Sequence, residues 1–60
     1  MDDAFLAYEA GRADGMAARR DPVRAQHPET GPDYRMGFLD GRIEVFKLLA
    51  TARKIVEEAD

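Results

Sequence analysis

Three arginines, Arg19, Arg20 and Arg24, fall within six consecutive positions, and His27 follows close behind. Guanidinium groups gathered this way can contact phosphates, each contact adding about one unit to the slope of log affinity against log salt. They can equally grip an acidic protein surface. The plainer reading is a solvated turn whose cations lie at the C-terminal end of a helix dipole. Covalent chemistry has far less to work with. The chain has no serine, no cysteine and one histidine, so no nucleophilic triad can be assembled. The same deficit removes disulfides and thiolate metal sites, and His27 with scattered carboxylates cannot build a zinc site. Asp2–Asp3 and Glu57–Glu58 sit where helix ends are expected and read as dipole and solubility features. His27, in "QHPET", reads as an exposed loop residue. A chain this small is not expected to form a ligand pocket of several hundred cubic ångströms. The expectation is a non-enzymatic binding protein without cofactor, metal or small-molecule substrate.

Two helices must carry these groups. Residues 2–19 are rich in helix formers, with alanine at 4, 7, 10, 13, 17 and 18. Asp2 and Asp3 supply an N-cap and charge for the dipole, and Arg19 and Arg20 stand at the other end. Pro22, Pro28, Gly31 and Pro32 then mark a connector over about 20–31, with room for one helical turn near Val23–Gln26. It is long for a helix–helix connection, typically about 2–8 residues. A second helix over about 32–58 opens on Pro32 and Asp33 and meets no later proline. At 1.5 Å per residue the helices span about 27 and 40 Å. The whole chain, 1–60, reads as one small domain.

Glycine placement says how the helices meet. "YEAGRADG" at Tyr8 and "YRMGFLDG" at Tyr34 repeat one pattern, Tyr-x-x-Gly-x-x-Asp-Gly, 26 positions apart. Each helical glycine costs about 1 kcal/mol relative to alanine. About 4 kcal/mol is a large fraction of a small domain's stability, so a compensating contact is required. Positions i, i+3 and i+7 share one helical face. Tyr8, Gly11 and Gly15 therefore form a smooth groove beside an aromatic ring, and so do Tyr34, Gly37 and Gly41. Such faces can approach more closely than the usual 8–10 Å. In an antiparallel hairpin Gly15 comes level with Gly37 and Gly11 with Gly41, paired positions summing to about 52. Tyr8 then lies near Asp40 and Glu44, and Tyr34 near Asp14, each hydroxyl within reach of the other copy's aspartate.

The order of aromatic–x–x–Gly, a second Gly one turn later, a proline-containing loop and a second aromatic–x–x–Gly resembles the ribosome modulation factor family. The matching residues are Tyr8, Gly11, Arg12 and Gly15, then Pro22, then Tyr34, Gly37, Phe38 and Gly41, within residues 8–42. The resemblance implies a two-helix fold and a regulatory protein associated with the ribosome or its RNA. Members of that family are strongly basic, whereas this chain is acidic and offers Asp21-Pro22-Val23 in its loop.

The second helix continues beyond its glycines as an apolar surface. With Phe38 at heptad position a, Val45, Ala52 and Ala59 follow at a, and Gly41, Leu48 and Ile55 at d. Leu39, Ile43, Phe46, Leu49 and Val56 widen it. The first helix is too short to cover this length, and small folds without disulfide or metal commonly oligomerise. Val45, Leu48, Leu49, Ala52, Ile55 and Val56 are therefore the expected homodimer face, giving a four-helix assembly. An acidic homodimeric interaction module, an adaptor or inhibitor of a larger complex, is the alternative to the ribosomal reading.

Twelve acids against nine bases give a net charge of −3, an ordinary cytosolic balance and a poor basis for general nucleic-acid binding. No apolar run approaches the roughly 18 residues of a membrane span. An acidic N-terminus and the absence of cysteine favour a cytoplasmic location.

Overall fold

A computed structural model describes residues 2–59. Three helices follow in order: α1 (Asp3–Ala17), α2 (Pro22–Ala25) and α3 (Gly31–Ala59). The protein is all-α, with two long helices packed on each other and a short one between them in the chain. Each start has a chemical cause. The Asp2 carboxylate accepts the Ala4 N–H at 3.0 Å, and Asp21 accepts those of Val23 and Arg24 at 3.0 and 3.2 Å. Pro22 follows Asp21 at the first helical position, where its missing N–H costs nothing. The helical turn for which the connector had room near Val23–Gln26 is thus present, one residue earlier and capped by Asp21.

α1 stops two residues before the expected boundary. Ala18 adopts a left-handed backbone (φ 56°), and the N–H groups of Ala18 and Arg19 donate to Gly15 and Asp14 carbonyls at 3.2 and 2.9 Å. This paired reversal satisfies the terminal carbonyls and turns the chain away. Arg19 and Arg20 consequently open the connector instead of ending the helix. α3 starts one residue earlier than expected. Gly31 N–H donates to the His27 carbonyl at 2.9 Å and Tyr34 N–H to that of Thr30 at 3.0 Å.

The helices meet through backbone. A Cβ placed on Gly11 would overlap the Tyr34 carbonyl oxygen and lie 3.0 Å from the Phe38 nitrogen. One on Gly15 would overlap the Phe38 carbonyl, one on Gly37 that of Tyr8, and one on Gly41 that of Arg12. Tyr34 and Phe38 each stand three residues before Gly37 and Gly41, as Tyr8 and Arg12 do before Gly11 and Gly15. All four contacts therefore obey one two-fold relation between the repeats. The pairing differs from the level arrangement expected, Gly11 with Gly41 and Gly15 with Gly37. Gly11 lies against Tyr34 and Phe38, while Gly41 lies against Arg12 and Met16, so the two glycine rows climb together through the crossing. Seating each Cα against a carbonyl of the facing helix, a recurrent close helix–helix contact, sets this register.

Little side-chain core accompanies the crossing. Gly11, Gly15, Gly31, Gly37 and Gly41 are buried, together with Ala25 and Tyr34, and Tyr34 is the large side chain that is fully enclosed. Beyond the crossing α3 runs on alone, giving a molecule 50 × 21 × 12 Å. Leu48, Leu49, Ile55 and Val56 on that stretch are 59–70% exposed.

Candidate functional site

Two tyrosine–aspartate bonds tie the repeats together. Tyr34 donates its hydroxyl to Asp14 at 2.5 Å, and Tyr8 donates to Asp40. Each tyrosine thus reaches the aspartate of the other copy. Tyr34 does more, because its oxygen also accepts the Asp21 N–H at 2.9 Å and so fixes the cap of α2. Burial raises the Tyr34 phenol above its ordinary pKa, with the Asp14 bond adding to the effect. For half-buried Tyr8 the Asp40 bond leads and burial follows. Both phenols are held neutral, as donors.

The arginines divide by what holds them. Arg12 pairs with Glu44 across the crossing, Arg24 with Asp21 at 3.7 Å, and Arg53 with Glu57 at 3.1 Å. Arg35 Nη1 donates to the Ala25 carbonyl, and Arg42 Nη1 to the Gly15 carbonyl at 3.2 Å. The Arg42 guanidinium also stacks over Phe46, 4.9 Å from its ring centre. Arg19 and Arg20 are exposed. The expected trio does not act alike, since Arg24 is partly neutralised by its own helix cap. Arg20 instead joins Tyr34, Arg35, Phe38 and Leu39 around a half-open cavity of about 260 Å³.

His27 is exposed, yet it has a structural task that sequence reasoning missed. Its Nδ1 accepts the N–H groups of Glu29 and Thr30 at 3.1 and 3.2 Å just before α3. The signal was its position two and three residues before otherwise uncapped donors, a role usually assigned to Asp or Ser. Arg35 and Arg42 stand on α3, and nothing in their spacing disclosed carbonyl partners in other segments.

Val45 is half-buried beside the crossing, while Leu48, Leu49, Ala52, Ile55 and Val56 are exposed along the free length of α3. Among the described residues no group of three or more His, Asp or Glu side chains gathers as a metal site. No helix among them is long and apolar enough to cross a membrane. No family model, curated protein or solved structure matches the chain.

Proposed function

We propose that this chain is a non-enzymatic binding protein that works as a homodimer, its copies joined along the free half of α3. The exposed run of Leu48, Leu49, Ile55 and Val56 carries this reading, since Leu48 and Ile55 continue at heptad spacing the Gly41 line on which α1 is seated, with Leu49 and Val56 beside them. Enclosing each such side chain stabilises by about 1.5–3 kcal/mol, and among the described residues the crossing fully encloses one large side chain, Tyr34. A second copy presents the same stripe, so a two-fold pairing serves both chains. Light scattering tests it: the parent has twice the 6.7 kDa chain mass, and Leu48→Glu or Ile55→Glu halves it. A folded parent of single-chain mass removes the proposal.

Exposed Arg19 and Arg20, neither paired with a carboxylate among the described residues, favour a second reading. In it the dimer is a ribosome- or RNA-associated modulator, as the repeat's family resemblance implies. Sucrose-gradient sedimentation of a host lysate distinguishes the two. Comigration with ribosomal particles that is lost at high salt, or on replacing Arg19, Arg20 and Arg24 by alanine, supports the modulator. A position at the gradient top in every growth phase leaves the interaction module alone.

A further inference from the structure

We propose that a flank on the first half of α3, adjoining the dimer stripe at Leu49, docks an acidic amphipathic helix of a different protein. The flank consists of Arg35, Phe38, Leu39, Arg42 and Phe46, with Arg20 of the connector beside it. Residues 35, 39, 42 and 46 stand at i, i+4, i+7 and i+11, so they lie on one side of the helix over about 17 Å. Leu39 and Phe46 are each 58% exposed. The cavity bounded by Arg20, Arg35, Phe38 and Leu39 opens at one end of this strip. A strip of three turns with apolar side chains between arginines is the length that a partner helix engages through its own i, i+3/i+4 and i+7 anchors.

Charge chooses the kind of helix. Arg35 and Arg42 are held in place by the Ala25 and Gly15 carbonyls, and Arg42 also by the face of Phe46. A carbonyl orients a guanidinium without cancelling its charge. No carboxylate pairs with Arg20, Arg35 or Arg42 among the described residues, in contrast to Arg12, Arg24 and Arg53. The acids Asp40 and Glu44 are bound to Tyr8 and Arg12 instead. A chain of net charge −3 thus carries one local edge of positioned, uncompensated cations along exposed apolar side chains. Complementary carboxylates flanking an apolar stripe satisfy both features at once. A nucleic-acid backbone would meet the guanidiniums and leave Leu39 uncovered.

The probe is a synthetic helical peptide with a leucine stripe flanked by glutamates, beside a counterpart with glutamine at those positions. Binding to the full chain is read by fluorescence anisotropy and backbone amide chemical shifts. The glutamate peptide is expected to bind at micromolar concentration, with shifts gathered at Arg20, Leu39 and Phe46. The glutamine peptide should bind at least about tenfold more weakly. Arg20→Gln, which removes no intrachain bond, should weaken the glutamate peptide. Arg35→Gln with Arg42→Gln should weaken it about tenfold or more, and Lys at both sites should restore much of it. Leu48→Glu should break the dimer and leave peptide affinity unchanged, so the two proposals fail separately. Equal affinity for both peptides, shifts centred on Leu48–Val56, no binding, or tighter binding of single-stranded RNA or anionic vesicles to the same arginines would overturn the inference.

Discussion

The Tyr34 hydroxyl donates to the Asp14 carboxylate at 2.5 Å while accepting the Asp21 N–H at 2.9 Å. One buried oxygen therefore joins α1, the connector and α3. The matching bond, Tyr8 to Asp40, joins two helices and lies partly open to water. Symmetry of sequence has become asymmetry of load, because the connector passes one end of the crossing only.

Tyr34→Phe should accordingly lower stability by about 1–3 kcal/mol, since it orphans the Asp21 N–H and leaves Asp14 without its donor. Tyr8→Phe should cost less, because water can replace the phenol at Asp40. Chemical denaturation of both variants measures the order. Equal losses would mean that the Asp21 contact carries no weight.

Alkali should expose the same pair. Both phenols have raised pKa values, by burial and the Asp14 bond at Tyr34, and by the Asp40 bond first at Tyr8. Folding favours the neutral phenol, so its contribution is complete below the unfolded pKa near 10. It is lost as pH rises through the higher folded values. Tyrosinate absorbance should appear together with loss of helical ellipticity, and later than in a denatured control. A titration overlaying that control while the helices persist would contradict the geometry.

Glycine-to-alanine exchange in a helix ordinarily stabilises by about 1 kcal/mol. At Gly11 and Gly37 the sign should reverse, because the new Cβ would overlap the Tyr34 and Tyr8 carbonyl oxygens of rigid backbone. Overpacking costs about 1–3 kcal/mol, enough to outweigh the propensity gain. Thermal melts of Gly11→Ala and Gly37→Ala should move downward. A rise at either position would show that the helices are not in contact there.

The glycine faces and the Tyr–Asp exchange were legible in the sequence because a repeated pattern at helical spacing can serve only matched faces. The register between the faces was not. A repeat specifies which surfaces meet, whereas seating each glycine on a carbonyl of the other copy decides which residues of the two rows come opposite. The end of α1 was hidden for a related reason: Ala18 takes a conformation that glycine normally announces. Asp21-Pro22 carried the signature of a helix start, and the turn for which there was room near Val23–Gln26 follows it at Pro22–Ala25. The positioned state of Arg35 and Arg42 depends on carbonyls from other segments, which no local pattern encodes.

Ala18 supplies the last prediction. It holds a left-handed backbone at φ 56°, where an L side chain crowds a carbonyl at a cost of about 1–2 kcal/mol. The site is retained because the N–H groups of Ala18 and Arg19 close α1 from there, aiming Arg19 and Arg20 into the connector. Ala18→Gly removes the crowding and keeps both hydrogen bonds. It also gives the unfolded chain more freedom, which returns part of the gain. A net stabilisation of about 1 kcal/mol is expected, raising the melting midpoint by about 4–8 °C in a domain this small. Ala17→Gly, one residue earlier in right-handed helix, should instead lower it by a comparable amount. The opposing signs at adjacent alanines locate the reversal, and a drop in both variants would mean that α1 continues through Ala18.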